Sequence, residues 1–390
     1  MKKIILSVSL YFLLIVSVNA KNIVVGAERI GQYLPLLKGK SVGLVVNQTS
    51  VVGNTHLLDT LLSLGIDVQL VFAPEHGFRG TADAGEHVNN GVDPKTNTAI
   101  VSLYGDNKKP KPGQLKDLDI LVFDIQDVGV RFYTFISTLQ YVMEACAENN
   151  KPLLILDRPN PNGHYVDGPV LDTQYRSFVG MQPIPIVYGM TIGEYAKMLN
   201  GEKWLANKEQ CKITIIPCLN YDHKTFYTLP IKPSPNLPNM AAIYLYPSLC
   251  FFEGTNNISL GRGTIKPFQI YGSDVFPSDL PFSFIPQPMD GAKTPPLLDK
   301  ICHGFDLSAI PLDTLRKQKF TLNYLLNAYK LCEVKSKFFN SFFIKLAAKA
   351  SLGVQIEKGM NEKTIKATWK TQLAKFKVIR KKYLLYKDFE

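Results

Sequence analysis

A chain of 390 residues, 46% apolar and 20% charged, has the composition of a globular protein, which excludes wholesale disorder and at this length predicts two domains. The formal net charge of +11 invites a nucleic-acid partner. Much of the excess lies between Ile356 and Glu390, where acidic residues are interleaved and Ile365, Trp369, Leu373 and Phe376 fall at helical spacing; this is a solvated helix face over a buried stripe, and no nucleic-acid partner is expected.

At the N-terminus Lys2 and Lys3 precede the apolar run "IILSVSLYFLLIVSV", and "VNA" closes it at Ala20. This is the pattern of a secretory signal peptide over residues 1–20, so a periplasmic or secreted protein is expected. No later run approaches the ~20 apolar residues of a membrane span, so no stable membrane insertion is expected. The six cysteines are scattered without framework spacing and without a CxxC pair, which predicts buried free thiols, Cys211–Cys218 being the one local pairing worth testing.

From Lys40 the chain repeats strand, turn, helix, strand. "SVGLVVNQTS", "THLLDTLLSLG" and "DVQLVFAPEHG" come first, then "LDILVFDIQDVG", the helical "YTFISTLQYVMEACAENN" and "KPLLILDRPNPNG". Continuous apolar runs alternating with amphipathic helices predict an α/β fold: a Rossmann-like N-terminal domain, residues 21–240, with a parallel sheet covered on both faces. In such sheets ligands bind outside the carboxyl ends of the strands. Polar clusters follow each run: Asn47, Gln48 and Thr49; Glu75 and His76; Asp124, Gln126 and Asp127; Asp157, Arg158 and Asn160. Prolines accumulate in "LPIKPSPNLPNM" and the rhythm stops. Beyond it a smaller α+β C-terminal domain, residues 241–390, is expected to complete the cleft, carrying Glu253 and Arg262 and helices near "TLNYLLNAYKL" and "SFFIKLAAKAS".

No GxGxxG turn opens the first helix and no P-loop is present, so no nucleotide cofactor is expected. His76, His87 and His164 stand near Glu75, Asp83 and Glu86, but without an HExxH helix or another ligand spacing, so no metal is expected either. Two carboxylates over one crevice, Glu75 and Asp127, suit glycosidic cleavage, with Phe78 as an apolar wall that raises one carboxyl pKa. The bland alternative is a local ion pair of Glu75 with Arg79. Phe132, Tyr133 and Phe135 offer rings to stack on pyranose faces, and Arg131, Arg158 and Arg262 offer forks for a ligand carboxylate.

Together "NQTS", "PEHGFRG", "FDIQDVGVRFYT", "LDRPNPNG", "DGPVL", "YGMTIGEYA", "FFEGTN" and "GRGT" followed by "PFQ" resemble the exo-β-N-acetylmuramidases of the NamZ type, over nearly the whole chain down to "RKKYLLY". The resemblance implies a Rossmann-like catalytic domain, a smaller C-terminal domain, a cleft between them, and release of terminal N-acetylmuramic acid from the non-reducing end of peptidoglycan fragments. Its catalytic glutamate falls on Glu75, with His76 and Arg79 beside it, and its Asp, Arg and Tyr fall on Asp127, Arg131 and Tyr133. The candidate site is then Glu75 as general acid/base, Asp127 as second carboxylate and His76 to position them. Asn47, Arg79, Arg131, Tyr133, Asp157, Arg158, Asn160, Glu253 and Arg262 are the substrate contacts. Peptidoglycan-derived saccharides are the expected partners and no cofactor is needed. The other classes that fit the sequence are a non-catalytic muropeptide- or solute-binding protein and a metal-dependent peptidoglycan amidase.

Overall fold

The structure, a computed structural model, describes residues 22–75, 77–78 and 90–390. The expected leader over residues 1–20, His76, Arg79, Asp83, Glu86 and His87 therefore lie outside the described residues. In chain order the strands are β1 Ser41–Val46, β2 Val51–Val52, β3 Thr55–His56, β4 Asp67–Ala73, β5 Gly91–Val92, β6 Ala99–Ser102, β7 Ile120–Asp124, β8 Leu153–Leu156, β9 Ile213–Ile216, β10 Ile270–Ser273, β11 Phe282–Phe284 and β12 Cys302–Asp306. Helices α1 Ile30–Leu37, α2 Leu57–Ser63, α3 Pro112–Leu115, α4 Phe135–Glu148 and α5 Ile192–Gly201 belong to the first part. The second holds α6 Met240–Leu249, α7 Leu312–Gln318, α8 Asn323–Leu331, α9 Phe343–Ala347, α10 Ser351–Glu357, α11 Glu362–Ala367 and α12 Lys370–Lys381.

Among the described residues the main sheet has seven strands in the order β5-β6-β4-β1-β7-β8-β9, all parallel except the edge pair β5-β6. Counted along the chain, the six parallel strands stand third, second, first, fourth, fifth, sixth, the order of a doubly wound sheet. The expected Rossmann-like arrangement is thus met, with one antiparallel edge strand added. The chain reverses direction across the sheet between β1 and β7, so the crevice above these strand ends is where a ligand cavity belongs.

Alternation along each strand explains why apolar runs became buried strands. Val45, Leu121, Phe123, Leu153 and Ile155 face one apolar cluster; their neighbours Leu44, Val46, Ile120, Val122, Leu154 and Leu156 face another. Tyr33, Leu37, Leu57, Leu58 and Leu61, from α1 and α2, cover the second face. The first face is covered by α4 and α5, and the same cluster continues into α6 and the C-terminal helices. Helix α6, "MAAIYLYPSL", is buried at all ten positions, so its weak amphipathicity reflects neighbours on every side.

A three-stranded antiparallel sheet, β10-β12-β11, and helices α7–α12 form the smaller C-terminal part. The expected stripe is buried at Ile365, Trp369 and Phe376, but the helix is broken in two, and Trp369 is the N-cap of α12. The terminal "RKKYLLYKDF" returns to the first part. There the Tyr386 hydroxyl donates to Asp157, the Leu385 N–H donates to Glu194, and Arg380 pairs with Asp388 at 2.9 Å. All six cysteines are buried free thiols. Cys211 is not bridged to Cys218, and its sulfur neighbours Cys146. No helix among the described residues is long and apolar enough to cross a membrane.

Candidate active site

Glu75 stands two residues beyond β4, in a turn closed by the Gly77 N–H on the Pro74 carbonyl. On the far side of β1, the segment after β7 delivers Phe132, Tyr133 and Thr134 to the same place. Thr134 is the N-cap of the fourteen-residue α4, yet its hydroxyl caps nothing in that helix. It donates instead to Glu75 Oε2 at 2.7 Å. A carboxylate held there faces the positive end of the α4 dipole.

These residues line a cavity of about 770 Å³, part of it open to solvent. The proline-rich segment before α6 supplies Ser234, Asn236 and Leu237, and the C-terminal part supplies Tyr246, Glu253, Arg262, Phe268 and Phe342. Tyr104, Phe135 and Phe178 complete an aromatic wall. Tyr133 is set by its hydroxyl, which donates to the Pro233 carbonyl at 2.9 Å, and by edge contacts with Phe135 and Tyr246. Burial, then the negative charges of Asp127 and Glu75, push its hydroxyl pKa well up, so it stays a neutral donor.

Glu253 and Arg262 form a second polar centre on this wall. Arg262 donates through Nε at 3.0 Å and Nη2 at 2.5 Å, both to Glu253 Oε1, and lies over the Phe268 ring at 5.2 Å. Its Nη1 makes no hydrogen bond among the described residues. The guanidinium is therefore fixed but retains an edge for a ligand carboxylate.

Several expected contacts are corrected here, because they lie off the cavity wall and most of their polar atoms are spent on the protein. Arg131 is fully buried and donates to the carbonyls of Pro169, Ile184, Leu346 and Ala347, the last two at the end of α9; it ties the two parts together instead of reading a ligand. Arg158 forms a buried two-bond pair with Asp124 at 2.5 and 2.8 Å and donates to the Val51 carbonyl. Asp157 accepts from Thr191, the Gly193 N–H and Tyr386. Asn47 closes a local turn by accepting from Thr49 twice, and Asn160 bonds Met190 and Asn162. None of these lines the cavity.

Asp127 is also withdrawn from the wall at 4% exposure, where Oδ2 accepts from the Tyr188 hydroxyl and the Gly129 N–H. Gly129 has φ +76°, and a Cβ there would meet Asn160 Oδ1 at 2.1 Å, so the "DVG" turn admits only glycine. Burial, opposed by these hydrogen bonds, raises the Asp127 pKa from 3.8 to about 6. A raised folded-state pKa contributes stability below the unfolded value, and that contribution is lost as pH rises from about 4 through 6. Asp127→Asn should keep both accepted bonds and remove this dependence. Urea unfolding at pH 4.5 and 7 should show the variant losing about 2 kcal/mol less than wild type across that interval. Equal losses would mean that Asp127 does not titrate there.

Of the residues singled out by the sequence, Glu75, Tyr133, Glu253 and Arg262 stand together on the cavity wall. The sequence reading missed Thr134, although that residue ends a quoted motif, and it treated the proline-rich segment as a boundary when Ser234 and Asn236 are part of the wall.

Doubly wound strand ends that feed a dipole-held carboxylate into an aromatic cavity, closed from the other side by an arginine–carboxylate pair, define an α/β protein with a ligand-sized pocket of aromatic and polar lining at its topological switch. Residues 42–241 match the family model "Exo-beta-N-acetylmuramidase NamZ, N-terminal" and residues 244–386 match its C-terminal counterpart. The chain belongs to the NamZ family. It is 39% identical to the peptidoglycan beta-N-acetylmuramidase NamZ of Bacillus subtilis (strain 168), covering 91% of this chain and 89% of that protein. Two crystal structures of DUF1343 family proteins from Bacteroides fragilis NCTC 9343 share the fold. One has a TM-score of 0.88 at 49% identity, covering 94% of this chain and 100% of the other; the second has 0.80 at 28%, covering 94% and 99%.

Proposed function

We propose that this protein is an exo-acting glycoside hydrolase that releases terminal N-acetylmuramic acid from the non-reducing end of peptidoglycan fragments, in cell-wall turnover or recycling. The observation that carries the proposal is Glu75 itself, held by Thr134 at the mouth of α4 on the wall that also bears the Glu253–Arg262 pair. Family membership and the name of the Bacillus subtilis relative support the same activity. In this reading Glu75 protonates the glycosidic oxygen as the C1–O bond breaks, and a water adds to the oxocarbenium-like anomeric carbon with its proton returning to the Glu75 carboxylate, while the aromatic wall packs the sugar ring. Export to the periplasm or medium belongs to the proposal, supported by the residue pattern from Lys2 to Ala20. Incubation with the peptide-free disaccharide of N-acetylmuramic acid β-1,4-linked to N-acetylglucosamine should liberate both sugars, and turnover should persist in EDTA. No release at micromolar enzyme would overturn the proposal.

Selectivity follows from the arginine. N-acetylmuramic acid differs from N-acetylglucosamine only by a lactyl ether with its carboxylate, and Arg262 Nη1 is the donor placed to read it. A charged hydrogen bond contributes roughly 1.5–3 kcal/mol, or about tenfold to a hundredfold in kcat/KM. Arg262→Leu should lose that factor on an aryl N-acetylmuramide while leaving any residual aryl N-acetylglucosaminide activity nearly unchanged. Equal losses on both glycosides would assign Arg262 to holding Glu253 instead.

A further inference from the structure

The first cavity does not end at its own wall. A neighbouring cavity of about 640 Å³ shares Glu253 and Arg262 with it, and a third, of about 690 Å³, shares Asn236 with the first and Ala292 with the second. On a bound muramic ring the lactyl group and the glycosidic oxygen leave from different carbons, so one substrate needs two exits. The exit beside Arg262 is charged and suits the lactyl side. The exit beside Asn236 carries one charge of each sign on its rim, Lys232 and Asp290, and it opens on a surface built differently.

Asn236 is 5% exposed and its amide donates to the Gly291 carbonyl at 2.8 Å, which fixes the side chain. Its Oδ1 accepts no hydrogen bond among the described residues. An amide oxygen so held can accept from a sugar hydroxyl or an acetamido N–H entering the third cavity. Beyond it stand Ile265, 83% exposed, and Met289, 37% exposed, both lining that cavity. The loop that presents Ile265 is not loose: Thr264 Oγ1 donates to the Gly261 carbonyl at 2.7 Å, and the Gly263 carbonyl accepts from the Gln287 N–H at 2.8 Å. Chain held this firmly keeps Ile265 and Met289 exposed together as an apolar surface that adjoins the catalytic cavity across Asn236. The C–H faces of pyranose rings supply matching apolar area. Lys232 and Asp290, both exposed on the same rim, can address polar groups of either sign along the chain.

We infer that the cavity beyond Asn236 holds the leaving-group end of a β-1,4-linked amino-sugar chain, so that the enzyme prefers fragments longer than a disaccharide. This rests on the exo-hydrolase reading of the first cavity. With peptide-free saccharides, wild-type kcat/KM should be about tenfold higher for the tetrasaccharide than for the disaccharide, mainly through KM, a difference equivalent to about 1.4 kcal/mol. Ile265→Asp, at a position exposed enough to spare the fold, should bring that ratio down to about one or two. Titration calorimetry with Glu75→Gln protein should show the same tenfold preference in Kd. A length-independent wild type, or a ratio unchanged in Ile265→Asp, would overturn the inference. If wild type hydrolyses neither saccharide, the hydrolase reading falls, and the calorimetric ratio still decides whether the groove binds the chain.

Discussion

Glu75→Gln should lower kcat on the muramic acid–glucosamine disaccharide by ~10²–10⁴-fold, the usual contribution of a positioned acid/base and equivalent to about 2.7–5.4 kcal/mol of barrier. The fold should survive. The residue sits in a strand-end turn, and the Thr134 hydroxyl that bonds Glu75 Oε2 finds an equivalent acceptor in the amide oxygen of glutamine. The size of the loss should depend on the leaving group. A sugar alkoxide needs its proton during bond cleavage, whereas an aryl oxide leaves far more readily without one. The variant should therefore be much less impaired on an aryl muramide than on the disaccharide, and its thermal midpoint should stay close to that of wild type. A variant that keeps more than about a third of the wild-type rate on the disaccharide would remove Glu75 from the acid role. An equal loss on both substrates would make it a binding group.

The parts of the fold that could be read in advance are those set by local pattern. Strands β7 and β8 are almost unbroken apolar runs, and β1 and β4 become apolar from Leu44 and Leu70 onward, because both faces of a covered parallel sheet are dry there, and each run was visible as such. The buried positions Ile365, Trp369 and Phe376 were legible from their spacing. The polar strand ends were not legible in the same way. Asp124, Asp157, Arg158 and Asn160 looked like ligand contacts, but loops crossing a sheet end bring unpaired carbonyls and N–H groups with them, and those must be satisfied by somebody. Which polar residue faces a ligand and which knits loops together depends on partners far along the chain. Arg131 finds its acceptors 38, 53, 215 and 216 residues away, and Asp157 finds Tyr386 at a separation of 229. No local spacing encodes that. Glu75 escaped the ambiguity because it follows β4, the neighbour of β1 across from the β1–β7 reversal, by two residues in a turn closed by the Gly77 N–H.

Arg158→Leu tests that distinction on the residue where the two assignments differ most in consequence. Asp124 is fully buried at the end of β7, and both of its carboxylate oxygens are bonded by Arg158, whose side chain is 2% exposed. Coulomb attraction in so dry a site offsets the desolvation of the pair only while both partners are present. Leucine fills some of the lost volume but leaves the carboxylate uncompensated and the Val51 carbonyl without its donor. Urea unfolding should record a loss of about 3–5 kcal/mol, the usual effect of removing one member of a buried pair. The double variant Asp124→Leu with Arg158→Leu should recover part of it, because the cost comes from the orphaned charge and not from a missing attraction. Turnover per folded molecule, measured at low temperature, should remain within about twofold of wild type, since Arg158 lies off the cavity wall. The opposite result, a protein of unchanged stability with sharply raised KM, would return Arg158 to the list of groups that grip the sugar. The strand-end clusters would then be a binding rim after all.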